Sequence, residues 1–107
     1  MTQVLDLLTI ARQLEIDTDH LVRQTDKVTQ LLLRLGDGEH YPDELHANAS
    51  ETILVLEGDC HLQVNEDVLR LTAGQQITIE ANKQHKFLPA SECCLSVVFE
   101  KNLEKQD

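Results

Sequence analysis

Residues 27–35 read as a strand whose apolar positions fall on both faces. On an extended chain Thr29, Leu31, Leu33 and Leu35 share one face, and Val28, Gln30, Leu32 and Arg34 share the other. Both faces carry leucine, so this strand is expected to be covered on both sides. Upstream, residues 4–14 place Leu5, Leu8, Ala11 and Arg12 near a helical period, with Leu7, Ile10 and Leu14 on an adjoining stripe. A short amphipathic helix ending before Asp17-Thr18-Asp19 is expected there, with a strand as the competing reading. Residues 20–24 then read as extended, and Thr25-Asp26 as a turn. Further strands are expected at 51–57, 60–64, 68–71, 76–80, 85–88 and 93–100. Gly36-Asp37-Gly38, Gly58-Asp59, Asn65-Glu66-Asp67 and Ala73-Gly74 punctuate them as loops and turns. Many brief strands without interleaved long helices predict an all-β, antiparallel sandwich or barrel. The expected organisation is an N-terminal extension over 1–26 that packs on the barrel or on a dimer partner, a barrel over 27–100, and a polar tail over 101–107.

The stretch 38–58 carries the candidate chemistry. Glu44 and His46 are two apart, so their side chains share a face of an extended chain. Glu51 lies five beyond His46, which breaks that period. It joins the same face only if Ala47-Asn48-Ala49-Ser50 makes a turn or bulge, and those small polar residues suit one. A further imidazole, His85, stands in a later strand. Two histidines with one or two carboxylates form a ligand set for a divalent transition metal.

The spacing resembles the cupin pattern. The first cupin motif is Gly, five residues, His-x-His, three or four residues, Glu, six residues, Gly. This chain has Gly38, five residues, Glu44-Leu45-His46, four residues, Glu51, six residues and Gly58, with Glu44 where the family usually has histidine. The second motif is Gly, five residues, Pro-x-Gly, two residues, His, three residues, Asn. Here Gly74 and His85 are kept, while Glu80, Asn82 and Pro89 replace the proline, inner glycine and asparagine. The resemblance covers residues 27–100. It implies a jelly-roll barrel, also called a double-stranded β-helix, in which Glu44, His46, Glu51 and His85 converge near one mouth. His46, His85 and Glu51 would then make a two-histidine, one-carboxylate centre for Fe, Mn, Ni or Zn, with Glu44 as a fourth ligand. The alternative is a metal-free cupin in which both histidines are hydrogen-bonded pocket residues. Small cupins include dioxygenases, isomerases and lyases acting on small organic molecules, so a metal-dependent enzyme is the first functional expectation. A small-molecule binding or sensing module without turnover is the second, and a storage role the third.

Composition narrows the partners. The chain of 107 residues makes one domain, and 9 Lys and Arg against 19 Asp and Glu leave it at −10. That field repels phosphate backbones and anionic lipid, so neither nucleic acid nor membrane is expected as a partner. The N-terminus lacks the basic start of a secretory signal, and Cys60, Cys93 and Cys94 are an odd number without zinc-site spacing. Free thiols in a cytoplasmic setting are therefore expected. Surplus apolar surface at 4–14, 27–35 and 52–56 points to a homodimer. His20, His40 and His61 read as surface residues, Phe87 as core or pocket wall, and Arg34 and Lys83 as candidate anchors for an anionic ligand.

Overall fold

The computed structural model describes residues 3–36 and 38–101, so the polar tail beyond Lys101, the first two residues and Asp37 lie outside the described residues. A short helix, α1 (Leu7–Arg12), precedes seven strands: β1 (Thr18–Gln24), β2 (Val28–Leu35), β3 (Ala49–Val64), β4 (Asp67–Thr72), β5 (Gln76–Ile79), β6 (His85–Phe87) and β7 (Glu92–Lys101). All pairings are antiparallel, in the order β1-β2-β7-β3-β4, with β5 and β6 also on β3. The result is the jelly roll that the spacing implied.

β3 is the strand on which the fold closes. Residues 51–57 and 60–64, read as two strands separated by a turn at Gly58-Asp59, are one strand of 16 residues. The chain bends at this point without reversing, because β7 stays paired with β3 from Ala49 as far as Asp59. The register skips between Val55 and Glu57, and Gly58 takes φ +88°. This bulge changes the phase of the strand. Glu51, Ile53 and Val55 are buried before it, and Cys60 and Leu62 after it, so odd positions face inward first and even positions later. One edge of β3 pairs with β7 and then β6, and the other with β5 and then β4.

Two apolar clusters result. The interior contains Leu35, Ile53, Val55, Leu62, Phe87, Leu95 and Val97. Outside the barrel, α1 lays Ala11 over Leu32 and Cys94, with Leu8, Ile10 and Leu56 around them. Part of the apolar surface that suggested a second copy is thus covered by the chain's own helix. Burying Leu32 there contributes about 1.5–3 kcal/mol. The Asp6 carboxylate caps α1 by accepting from the Thr9 backbone N–H at 3.2 Å, which also lowers the Asp6 pKa. At the other end Arg34 donates to the carbonyls of Arg12 and Leu14 at 3.2 and 2.9 Å, and Arg12 pairs with Glu57.

These contacts correct the expectation for Arg34. Strand alternation turns it outward with Leu32, where it holds the helix end, away from the barrel interior. Lys83 is likewise paired with Glu80 at 3.3 Å. Cys60, Cys93 and Cys94 are free and buried. A hydrogen bond with Cys60, together with burial, pushes the Cys93 thiol far above its ordinary range, and burial raises Cys94. Among the described residues no helix is long and apolar enough to cross a membrane.

Two backbone positions generate predictions. A Cβ on Gly58 would come within 2.2 Å of the Glu92 carbonyl oxygen, at a φ that side chains avoid. Gly58→Ala is expected to cost at least about 2 kcal/mol in urea unfolding. Asn82 stands where the cupin pattern has its inner glycine, and it holds φ +68°. Asparagine tolerates the left-handed region, so the replacement keeps the turn. Asn82→Gly is expected to change stability by less than about 0.5 kcal/mol, and Asn82→Ala to cost about 1 kcal/mol.

Candidate metal centre

Three pieces of chain bring the candidate ligands together: the loop before β3, β3 itself and β6. Glu51 lies on the inward face near the start of β3, opposite Ile79 on one side and Phe99 on the other. His85 opens β6 and shares its inward face with Phe87. Glu44 belongs to the loop before β3 but is docked as a one-residue bridge to His85: its N–H donates to the His85 carbonyl at 2.7 Å, and the His85 N–H donates back at 3.0 Å. An antiparallel bridge puts both side chains on one face. His46, two residues on, accepts at its carbonyl from the Asn82 N–H at 2.9 Å, which ties this loop to the left-handed turn before β6. The Ala47–Ser50 stretch bends at Ala47 and Asn48 and enters β3 at Ala49, bringing Glu51 back to the side of His46.

One ligand atom from each of Glu44, His46, Glu51 and His85 lies within 4.8 Å of all the others. His85 Nε2 is 2.7 Å from Glu51 Oε1, and His46 Nε2 is 3.3 Å from both Glu51 Oε1 and Glu44 Oε1. Donors held about 2.1 Å from one ion, at tetrahedral or octahedral angles, stand about 3.0–3.4 Å apart, so the His46 spacings already suit one. His85 Nδ1 donates to the Lys83 carbonyl at 3.0 Å, fixing the tautomer that directs Nε2 into the cluster. Glu51 is only 2% exposed, and among the described residues no lysine or arginine pairs with it or with Glu44. A buried carboxylate whose partners are two imidazoles fits a divalent cation in charge as well as in donor type. These residues could hold a metal ion.

The electrostatics of His85 follow from the same contacts. Its hydrogen bond to Glu51 raises its pKa above the ordinary 6.5, against the opposing effect of burial. A proton on Nε2 therefore takes the place that a metal would occupy.

A cavity of about 530 Å³ opens beside the cluster, lined by Glu44 and Glu51, by Phe87, Val97 and Phe99, and by inward leucines of β2. Phe87 is a buried core residue and also part of this wall. Phe99 was not singled out from sequence, yet its ring meets the His46 ring edge-on with centroids 4.9 Å apart. The alternation Leu95, Val97, Phe99 along β7 was the signal that could have found it. Tyr41 was also missed as a wall residue. Its hydroxyl accepts from the Gly36 N–H at 3.1 Å, its ring packs edge-on to Phe87, and burial raises its pKa. His20 and His40 are exposed and His61 is half-buried, and none of them joins the cluster.

The model of the cupin domain family matches residues 31–99. The chain is similar to TT1209 from Thermus thermophilus, with a TM-score of 0.80 and 24% identity, over 94% of this chain and 98% of that one. It also matches SPY1581, a conserved protein of unknown function from Streptococcus pyogenes, with a TM-score of 0.77 and 18% identity over 94% and 89% of the two chains. KdgF from Halomonas sp. follows with a TM-score of 0.71 and 13% identity over 80% and 81%. No curated protein matches the sequence. At such identities the structures speak for the fold and leave the chemistry to the site. The family match spans well over half of the chain, and on that ground the protein belongs to the cupin domain family.

Proposed function

We infer that this protein is a small metal-dependent cupin that binds a divalent Fe, Mn, Ni or Zn ion through His46, His85, Glu51 and Glu44 and acts on a small organic molecule in the adjoining cavity. The observation that carries this reading is the buried Glu51 carboxylate facing two imidazole nitrogens at 2.7 and 3.3 Å. A bound ion would supply Lewis-acid polarisation of a ligand oxygen. The chain's own residues do the rest. Lys83 holds the His85 tautomer, and Phe99 braces the His46 ring. The apolar wall places low-dielectric side chains beside the cluster, which strengthens electrostatic interactions there. Glu44, with its side chain 30% exposed against 3% for Glu51, is the carboxylate placed to exchange a proton at the cavity.

One observation favours a second reading, a binding module without metal. Among the described residues every buried side-chain nitrogen and oxygen has a hydrogen-bond partner, so the His–Glu network is satisfied by itself.

Elemental mass spectrometry of protein purified without chelators separates the two. Stoichiometric metal that disappears in both His46→Ala and His85→Ala supports the centre, and a metal-free wild type supports the binding module. Calorimetric titration with Mn(II) or Zn(II) should show Glu51→Gln weakening binding by about 100-fold or more and Glu44→Gln by about tenfold. An equal or larger loss at Glu44 would reverse the order of the two carboxylates.

Metal affinity is also expected to rise with pH. His85 has a raised pKa, so its protonated pair with Glu51 stabilises the metal-free fold fully below about pH 6.5. That contribution fades as pH climbs through the raised value. Because metal must displace the same proton, affinity increases across the same window. A flat profile between pH 6 and 8 would contradict this.

The reading extends to a homodimer. Among the described residues β1 pairs only with β2, and Leu21 stands 52% exposed on it. Pairing this edge with its copy would cover both the free backbone groups and the leucine. Light scattering at micromolar concentration should give twice the 12.1 kDa of one chain. A mass of one chain would rule the dimer out.

A further inference from the structure

The cavity beside the cluster has a charge pattern that selects its occupant. Its body is apolar, formed by Leu31, Leu33, Val97, Phe99 and Phe87, while its ionisable groups besides the Tyr41 phenol are four carboxylates: the half-buried Glu44 and buried Glu51 of the cluster, and Asp17 and Asp19, whose exposure places them at the mouth. Among the described residues no lysine or arginine lines it. Three cations on neighbouring segments are engaged elsewhere. Arg34 caps α1, Lys83 pairs with Glu80, and Lys86 lies 3.9 Å from Asp43 on the outward side of β6. Neither Asp17 nor Asp19 forms an ion pair among the described residues. The position of Asp17 is built into the fold: its N–H donates to the Arg34 carbonyl at 2.7 Å, and it holds φ +62°.

We propose that this cavity takes a small, largely apolar amine, its hydrocarbon body against the leucine and phenylalanine wall and its ammonium group at the mouth beside Asp17 and Asp19. The volume of about 530 Å³ is ample for one aromatic ring with a short side chain. The assignment rests on the proposed metal centre at one point only. A divalent ion would neutralise Glu44 and Glu51, and the two mouth aspartates would still leave the cavity negative. Without an ion the field is more negative still. In the metal-free protein organic anions are disfavoured, because among the described residues no side chain in the lining offers a carboxylate or phosphate a cationic partner; a bound ion would be the one cation a carboxylate could reach.

Three probes of similar shape test this: 2-phenylethylamine, 2-phenylethanol and 3-phenylpropionate, titrated calorimetrically into full-length protein at low ionic strength. Each titration is run on Mn(II)-loaded and on chelator-treated protein, so that direct coordination of the amine or the carboxylate by the ion is separated from the effect of the mouth. In chelator-treated protein the amine is expected to bind at least about tenfold more tightly than the carboxylate, with the alcohol between them, and loading Mn(II) is expected to narrow the ratio by giving the carboxylate an ion to coordinate. Asp17→Asn with Asp19→Asn should shrink that ratio to about twofold and leave the alcohol unchanged. Asparagine tolerates the left-handed φ of position 17, and circular dichroism confirms that the variant is folded. Added salt should reduce the wild-type ratio as well. In chelator-treated protein, a carboxylate that binds as well as the amine, a preference that survives the double substitution, or no amine binding at millimolar concentration would each overturn the proposal. Failure of the metal reading looks different: the amine preference would persist in a protein that takes up no manganese.

Discussion

Every inward-facing residue of this barrel depends on the change of phase within β3. A strand of 16 residues without a bulge would keep a strict two-residue period and send either Glu51, Ile53 and Val55 or Cys60, Leu62 and Val64 to the outside. The skipped position at Leu56 and the left-handed Gly58 bring both halves onto one interior. That single device lets β3 pair with β7 along one edge and still deliver its second half to β4 and β6. It also fixes where Glu51 stands relative to His85, since Glu51 sits before the bend and the His85 pairing lies after it.

Once the strand is bent, the site is assembled by backbone hydrogen bonds more than by side chains. The Glu44–His85 bridge and the Asn82-to-His46 bond attach an irregular loop to β6 as though it were a strand. The loop therefore presents Glu44 and His46 with strand-like alternation, although it carries only a single bridge residue. Rigid backbone placement matters because a buried carboxylate between imidazoles is costly unless its partners are held at hydrogen-bonding or ligating distance. The cavity next to it inherits its apolar wall from the inward residues of β2 and β7, and its negative mouth from the start of β1.

Much of this was legible from sequence because strand faces and turn glycines are local properties. The helix near Leu8 and the two-faced strand at β2 follow from short-range periodicity, while the grouping of Glu44, His46, Glu51 and His85 came from the resemblance to the cupin pattern, and the structure gathers those four side chains together. The misreadings share one cause. Gly58-Asp59 looked like a turn because glycine with aspartate does form turns, and only the continuous pairing with β7 shows that the chain bends there without reversing. Arg34 looked like a ligand anchor because a cation in a strand stands out. Its neighbours in space, the last carbonyls of α1, are twenty or more residues away in sequence.

The sequence by itself therefore determined the two-faced strand at β2 and the short helix, which depend on neighbours a few residues apart, and through its likeness to the cupin pattern it pointed to the set of residues able to ligate a metal. Only the tertiary structure decided that Asp17, Asp19 and Phe99 share a cavity with Glu51, that α1 covers the outer leucines, and that the cationic side chains face away from the site. Those outcomes depend on hydrogen-bond register between distant strands and on the path of a loop. No local pattern of apolar and polar residues specifies either of them.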